Sequence, residues 1–453
     1  MIFSALFRIS IFRRDVFFMD LYSALSLFLS CSILLGGLFF TFYLKGFFFI
    51  HPLKTLRGLF SRGGSGRGVS PLRALSASLA GSLGVGNIAG VAVALMVGGA
   101  GAVFWMWASA LISMVLKYCE ITLGVKYRTV KAGELTGGPM YYMEKGLGGK
   151  SGRVLAALFA AACVVSSFAL GNIVQVNAAL ESAGYIFGWS KTAVGAALAA
   201  VTAAVILGGF SRISRFTSIV LPVISGAYIA LCLAVVIRGG ALIPSVTAEI
   251  FSGAFRFDSA FGGVLGFLLS PCVAEGVAKG TFSHESGSGT APLAHAGAEA
   301  SSPGEQGLLG IFEVFLDTII ICTLTAYVLL IARRGGAGGE NGMAFVLSSF
   351  ELTLGAWTKY AVGASVCLFA LSTLVCWAFY GRSALSYLTS SKYAVLFYTL
   401  AYLATVVFAA SLSQGAVWRT ADASIALMTG ANLPSLFLLR REIKAETEVL
   451  MRK

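Results

Sequence analysis

Four glycines lie within the segment Gly81-Ser-Leu-Gly-Val-Gly-Asn-Ile-Ala-Gly90, which is otherwise apolar enough to cross a membrane. Glycine weakens the interior of a helix and lets other backbones approach it closely. Irregular backbone at the depth of a bilayer is tolerated only where it is buried in protein or lines a cavity. The segment therefore predicts a helix that breaks inside the membrane, where freed carbonyl and amide groups can hold an ion or a zwitterion.

The composition is that of a membrane protein. The chain has 453 residues, of which 57% are hydrophobic and 12% are charged, whereas a soluble domain is about 25% charged. Its apolar segments are continuous rather than alternating, which indicates an all-α polytopic protein and not a β-barrel. The net charge of +13 is interpreted as basic cytoplasmic loops, so no nucleic-acid partner is expected.

At roughly 20 apolar residues per span, the sequence predicts about eleven transmembrane helices. The spans are predicted near 17–44, 72–97, 98–123, 153–180, 189–209, 214–237, 258–283, 305–332, 357–380, 392–411 and 415–439. Setting the first span aside leaves ten, and glycine-broken segments begin each half of that core. This order predicts an extra N-terminal helix with a basic loop (1–71), two inverted five-helix repeats (72–237 and 238–440) and a tail (441–453).

The basic residues predict the orientation. If the loop 45–71 faces the cytoplasm and the spans alternate, most lysines and arginines fall on the cytoplasmic side. Such a bias predicts an N-terminus outside and a C-terminus inside. Arg8, Arg13 and Arg14 argue weakly against this placement of the N-terminus.

A second polar stretch, Gly276–Pro292, adjoins the predicted span 258–283 and contains Lys279, Ser283, His284 and Glu285. Ionisable groups inside a membrane are costly and are functional candidates by default. The alternative is a cytoplasmic loop with solvated charges, and for Lys279 we favour that interpretation.

Other polar residues fall within predicted spans. Asn172 and Gln175 need hydrogen-bond partners, either on another helix or on a substrate. Thr373 and Trp377 are four residues apart and share a helix face, and the Thr373 hydroxyl suits a hard cation such as sodium. Asp317 lies in mid-span and either tunes coupling or pairs with another polar group; we favour the structural interpretation.

No pattern typical of an enzyme is present in the sequence. The eight cysteines have no CxxC spacing and the three histidines form no ligand motif. We find no Ser-His-Asp set and no paired carboxylates. The sequence therefore predicts neither catalysis nor an organic cofactor.

Several motifs, in this order, resemble those of the alanine/glycine:cation symporters, also called sodium:alanine symporters, of the amino acid–polyamine–cation superfamily. The matching stretches are GNIAGVAVAL (86–95), FWMW (104–107), KYCEITLGVKYR (117–128), GGPMYYMEKGLG (137–148), GNIVQVN (171–177), FSHESGSGTAP (282–292) and DTIIICTLTA (317–326), followed by Trp418, Asp422 and Asn432. The resemblance covers nearly the whole chain. It implies a leucine-transporter-like fold with a five-plus-five inverted-repeat core.

The resemblance also implies a function. Members of this family couple the uptake of small neutral amino acids, mainly alanine and glycine, to inward sodium movement across the inner membrane of a prokaryote. Sodium would be co-transported, and no obligatory protein partner is implied. The implied substrate-binding residues are Gly84, Gly86, Asn87, Gln175, Phe282, Ser283, Thr373 and Trp377. The implied sodium site lies between carbonyls near Ser82 and Val85 and the hydroxyls of Ser372 or Thr373.

The chain departs from the family pattern at several positions. Val85 stands where the family usually has Thr, Ala100 where it has Pro, and Lys279 where it has Arg. Glu275 replaces an aromatic residue, and His284 replaces Asn. Glu275 and His284 add titratable groups, so we hypothesise that they, with Asp317, contribute to coupling. Glu275 in particular would serve a proton or a cationic substrate.

Two alternatives stay open. One is a transporter of the same fold that is coupled to protons or selects another amino acid. The other is an amino acid sensor that binds its ligand without transporting it, which the lack of an appended domain makes less favoured.

Overall fold

A computed structural model of the chain describes residues 28–50, 68–131, 133–255, 270–338, 342–409 and 414–452. Arg8, Arg13 and Arg14, the first part of the predicted span 17–44, most of the predicted basic loop and residues 258–269 of the predicted span 258–283 lie outside the described residues. The described part is mainly helical and contains one two-stranded antiparallel hairpin, in which Thr129 pairs with Thr136.

The elements have the following bounds. The α-helices are α1 (Phe28–Tyr43), α2 (Phe47–Ile50), α3 (Pro71–Ser82), α4 (Ala89–Gly98), α5 (Gly101–Lys126), α6 (Pro139–Tyr142), α7 (Gly149–Phe168), α8 (Val174–Phe187), α9 (Lys191–Ile206), α10 (Gly209–Arg238), α11 (Ile243–Ala254), α12 (Pro271–His284), α13 (Ala291–His295), α14 (Pro303–Val314), α15 (Thr323–Arg334), α16 (Met343–Leu354), α17 (Thr358–Leu388), α18 (Lys392–Phe408), α19 (Gln414–Leu438) and α20 (Arg440–Arg452). The hairpin strands are β1 (Thr129–Lys131) and β2 (Glu134–Thr136). Three π-helical turns, Met143–Leu147, Ala169–Ile173 and Phe315–Cys322, join neighbouring helices.

The glycine-rich segment is broken as predicted. Ser70 caps the start of α3, where its hydroxyl accepts a hydrogen bond from the Arg73 amide. The α3 helix ends at Ser82, a single 3-10 turn covers Val85–Asn87, and α4 begins at Ala89. The break leaves backbone groups near its centre without regular helical partners.

Five helices, or continuous helical runs, are long and apolar enough to cross a membrane: Gly101–Lys126, Gly149–Phe187, Gly209–Arg238, Pro303–Arg334 and Thr358–Leu388. A sixth candidate joins Val417–Leu438 to Arg440–Arg452 across a bend of 68°. Shorter apolar helices include Phe28–Tyr43, Lys191–Ile206 and Lys392–Phe408. The count of eleven spans and the inverted repeat stay predictions.

Several described elements were not predicted. The α11 and α16 helices have 12 residues each, which is shorter than the roughly 20 apolar residues expected of a transmembrane helix. The predicted tail 441–453 is largely the helix α20, and the hairpin lies in a predicted loop.

The packing places the break at the centre of the molecule. The α5 helix packs against α12 and α14, and α17 packs against α3, α7, α8 and α10. The 3-10 turn itself contacts α8, α12, α17 and the π-helical turn Phe315–Cys322. Polar groups from four separate parts of the chain therefore meet at the broken helix.

Candidate functional site

The amides of the break are held by two side-chain amides. The Val85 amide donates a hydrogen bond of 3.0 Å to Gln175 Oε1, and the Gly84 amide donates one of 3.3 Å to Asn87 Oδ1. Gln175 Nε2 in turn donates to the Leu170 carbonyl at 3.3 Å. Gln175 is thus fixed against the break, which is one of the two roles that the sequence left open for it.

Glycine is required at position 84 by close approach. A Cβ atom on Gly84 would lie 2.6 Å from Thr373 Oγ1 and 2.7 Å from Gln175 Oε1. A Cβ on Gly86 would lie 2.6 Å from the Phe282 ring. These residues therefore pack directly against the backbone of the break.

Two side chains of α17 bind carbonyls at the end of α3. Thr373 Oγ1 donates a hydrogen bond of 3.0 Å to the Ala80 carbonyl, and Trp377 Nε1 donates one of 3.2 Å to the Gly81 carbonyl. The last carbonyls of a helix lack helical partners, so these side chains satisfy groups that the break exposes. The Trp377 indole is fully buried and packs against Gly171.

On the other side of the break lies a buried polar group of four residues, here called the Asp317 cluster: Asn87, Ser283, Asp317 and Cys322. Ser283 Oγ donates to Asp317 Oδ1 at 2.5 Å, and Asn87 Nδ2 donates to the same oxygen and to Ser283 Oγ, the latter at 2.6 Å. Asn87 thus accepts from the Gly84 amide through its side-chain oxygen and donates to Ser283 and Asp317 through its side-chain nitrogen.

The second carboxylate oxygen of Asp317 is unsatisfied. Asp317 is fully buried, and its Oδ2 atom makes no hydrogen bond to any described residue. No lysine, arginine or histidine among the described residues forms an ion pair with it. The neighbouring Thr318 hydroxyl is also buried without a described partner. A buried charge is costly unless it is paired, so this oxygen is a candidate ligand for a cation.

Cys322 is a member of the cluster that the sequence did not suggest. Its sulfur lies 3.2 Å from Ser283 Oγ and 3.4 Å from Asn87 Nδ2. Asp317 and Cys322 are five residues apart, a spacing that a regular α-helix would rotate to different faces. Because Phe315–Cys322 is π-helical, the two side chains face the same cluster.

The implied cation ligands are only partly brought together. Thr373 lies at the break, and the Ser372 hydroxyl is buried without a hydrogen bond to any described residue. Ser82 Oγ faces the Leu79 carbonyl of its own helix at 3.5 Å. The Val85 carbonyl accepts from the Ile88 amide at 3.1 Å, which leaves it one further lone pair.

The interpretation of Lys279 as a solvated loop residue is wrong. Lys279 lies within α12 and is 1% exposed, and its Nζ lies 2.7 and 3.0 Å from the Asp422 carboxylate oxygens. It also stands 5.0 Å from the centre of the Trp418 ring, which contacts Phe282. The charge is tolerated inside the protein because Asp422 pairs with it and the Trp418 ring packs beside it.

Glu275 and His284 lie apart from the Asp317 cluster. Glu275 is on α12 one turn before Lys279, and its nearest basic group is Lys279 Nζ at 3.8 Å. Eight residues of helix, about 12 Å, separate Glu275 from Ser283. The His284 ring is buried between Ser113 Oγ, at 3.3 Å, and the Ser286 amide, at 3.1 Å. Their hypothesised roles in coupling stay predictions.

A second buried ionic network was not foreseen. Lys117 Nζ lies 2.9 Å from Glu313 Oε2, and Glu313 Oε1 lies 2.5 Å from His295 Nε2. Ser78 Oγ donates to Glu313 at 3.0 Å, and Lys117 also donates to the His284 carbonyl at 2.8 Å. The network joins α3, α5, α12, α13 and α14. Lys117 lies within α5 and is buried, so it does not contribute to the basic loops from which the orientation is predicted.

Comparisons with known proteins show which family the chain resembles. A sequence profile described as the sodium:alanine symporter family matches residues 17–453. The sodium/alanine symporter AgcS of Methanococcus maripaludis is 38% identical over 427 residues, which cover 92% of each protein. A probable sodium/glutamine symporter of Bacillus subtilis, GlnT, is 35% identical over 410 residues, covering 90% of this chain and 84% of that protein.

Solved structures show the same fold at low identity. A sodium-coupled sialic acid symporter in a substrate-bound outward-open state superposes with a TM-score of 0.56 at 12% identity, covering 92% of this chain and 87% of that one. The family match and the apolar helices together identify an integral membrane protein and a secondary transporter. The chain belongs to the sodium:alanine symporter family.

Proposed function

We propose that the protein is a sodium-coupled symporter of small neutral amino acids, alanine and glycine, that works by alternating access. The observation that carries this proposal is the broken helix α3–α4, whose amides and carbonyls meet polar side chains inside the protein. The proposed substrate-binding residues are Gly84, Gly86, Asn87, Gln175, Phe282, Ser283, Thr373 and Trp377.

The substrate carboxylate would bind at the amides of the break. Gln175 Oε1 and Asn87 Oδ1 already accept from the Val85 and Gly84 amides, and a carboxylate is a stronger acceptor of the same kind. The substrate ammonium would be held by carbonyl and hydroxyl oxygens. The rings of Trp377 and Phe282 restrict the space beside these groups, which favours a side chain as small as a methyl group or a hydrogen.

Sodium would bind where oxygen ligands and negative charge are available. We propose a site between carbonyls near Ser82 and Val85 and the hydroxyls of Ser372 and Thr373. Asp317 supplies the negative charge for coupling, because Asn87 links it directly to the Gly84 amide. A cation that orders Asn87 raises the affinity of the break for the amino acid, and the amino acid must then raise the affinity for the cation by the same factor.

The proposal also includes the location, orientation, repeats and partners of the protein. The protein would lie in the inner membrane of a prokaryote with its N-terminus outside and its C-terminus inside. Residues 72–237 and 238–440 would form two five-helix repeats that move against each other around the site. Its partners are the amino acid, sodium and the lipid bilayer, without an obligatory protein partner.

A second candidate function is a transporter of this fold with proton coupling or another substrate. Proton coupling is supported by Asp317, a buried carboxylate that a proton can neutralise. Another substrate is supported by the relative GlnT, which is named for glutamine. No feature of the described residues favours the sensor alternative.

Binding of labelled alanine to the purified protein tests the site without transport. We expect saturable binding that is stronger in sodium chloride than in potassium chloride. Gly84→Ala should abolish it, because the added methyl group would collide with Thr373 and Gln175. Gly226→Ala is the matched control, since a Cβ there meets nothing within 4 Å. Equal binding by wild type and Gly84→Ala would contradict the proposed site.

Trp377→Ala should relax size selectivity. Removing the indole opens space beside Gly81 and Gly171, so leucine should compete better with alanine. One methylene in an apolar pocket changes discrimination about 10- to 200-fold, so we expect the alanine-to-leucine ratio to fall at least about tenfold. Competition binding measures it, and Trp357→Ala, at an exposed tryptophan, is the control. An unchanged ratio in a folded Trp377→Ala protein would show that the indole does not set the pocket.

A further inference from the structure

A large cavity lies away from the broken helix. It has a volume of about 650 Å³ and is formed where the end of α9, the start of α10, the hairpin, the end of α17 and the start of α18 meet. The substrate site proposed above contributes none of its residues to the lining. A cavity of this size matches those that hold a ligand of drug size or larger.

The deeper walls of the cavity are apolar and aromatic. They include Phe210, Ile213, Phe379, Tyr398 and Tyr402. Beside its mouth, Leu207 is 75% exposed and Leu396 is 55% exposed. In an integral membrane protein, exposed leucines such as these offer a surface that acyl chains can contact.

The rim of the cavity is basic. It carries Lys131, Arg382 and Lys392 against one carboxylate, Glu134. Lys131 donates to the Ser386 carbonyl at 2.6 Å, whereas Arg382 and Lys392 are exposed and make no hydrogen bond or ion pair to any described residue. One guanidinium group, of Arg382, and one ammonium group, of Lys392, therefore remain available beside an apolar cavity, towards the end of α17 and at the start of α18.

We infer that this cavity binds an anionic glycerophospholipid from the surrounding membrane. The phosphate lies between Arg382 and Lys392, which supply charge-assisted hydrogen bonds, and one acyl chain occupies the space along Phe210 and Phe379. Basic pockets between transmembrane helices are recognised sites for anionic head groups. A lipid fits better than a soluble anion because the cavity combines a charged rim with an apolar interior.

Native mass spectrometry of the full-length protein tests this inference. The probes are phosphatidylglycerol and phosphatidylcholine with identical acyl chains. We expect tighter binding of phosphatidylglycerol to the wild type. The double variant Arg382→Ala/Lys392→Ala should weaken it about thirtyfold, as expected for the loss of two interfacial basic residues. The control is Arg73→Ala/Lys150→Ala, which removes two exposed basic residues outside the cavity.

Two further binding measurements distinguish a lipid from a soluble anion. Thr399→Phe fills the apolar part and leaves the rim intact, so it should also weaken phosphatidylglycerol binding. Glycerol 3-phosphate, the soluble head-group probe, should not displace the lipid at equal concentration. The inference is overturned if both lipids bind equally, if the double variant loses no more than its control, if Thr399→Phe has no effect, or if glycerol 3-phosphate competes equally. None of these measurements involves uptake, so their outcome does not depend on whether the transport proposal is correct.

Discussion

Asp317→Asn is expected to remove most of the sodium dependence of alanine binding. The substitution keeps the shape of the side chain and its bond to Ser283 but removes the charge beside the unsatisfied Oδ2 oxygen. Coupling free energies between two ligands are typically about 1–3 kcal/mol, a factor of about 5–150 in affinity. We expect the ratio of alanine affinities in sodium and potassium to fall from that range to near one, with residual binding in both salts.

The control for this prediction is another carboxylate. Glu351→Gln alters a partly exposed pair with Lys359, 3.2 Å long, outside the site, and should leave the ratio unchanged. If Asp317→Asn keeps the wild-type ratio, then Asp317 is a structural residue and the cation is held elsewhere, with the oxygens of Ser372 and Thr373 as the remaining candidates. If it instead removes a dependence on pH while sodium has no effect in the wild type, proton coupling replaces the proposal.

Glu313→Gln is expected to destabilise the protein by about 3–5 kcal/mol, because it leaves the buried Lys117 ammonium without its counter-charge. The equally buried His295 and Ser78 lose the same acceptor charge. Lys117→Met should also destabilise the protein, since it leaves the buried Glu313 carboxylate with only His295 and Ser78 as polar partners. The double variant Lys117→Met/Glu313→Gln should be less destabilised than the sum of the two single variants, because neither charge is left alone.

Denaturant unfolding in detergent, followed by tryptophan fluorescence, measures these differences. Lys126→Met is the matched control: its pair with Glu442 is 2.6 Å long but partly exposed, so its loss should cost at most about 1 kcal/mol. Additive effects of Lys117→Met and Glu313→Gln would show that the two residues do not stabilise the fold as a pair.

The sequence predicted those parts of the site that depend on local chain chemistry. Glycines placed the break in α3–α4, and an i,i+4 spacing placed Thr373 and Trp377 on one face of α17. The resemblance supplied Gln175 and Ser283, which the structure brings to the break. None of these inferences requires knowing how distant helices pack.

Features that depend on tertiary packing were not predictable. Lys279 lies near the end of a predicted span and was interpreted as a solvated charge, whereas Asp422, 143 residues further along the chain, pairs with it inside the protein. Cys322 joins the Asp317 cluster because of a π-helical turn that has no pattern in the sequence. The partners of Glu313 come from separate helices, and no spacing relates them.

The most direct test of the account is uptake of labelled alanine and glycine into proteoliposomes that hold the purified protein. One set receives an inward sodium gradient, a second receives a proton gradient without sodium, and a third receives neither. Sodium-coupled symport predicts accumulation above the external concentration with the sodium gradient alone. Accumulation with the proton gradient but not with sodium, or with neither gradient, would contradict sodium-coupled symport of these amino acids.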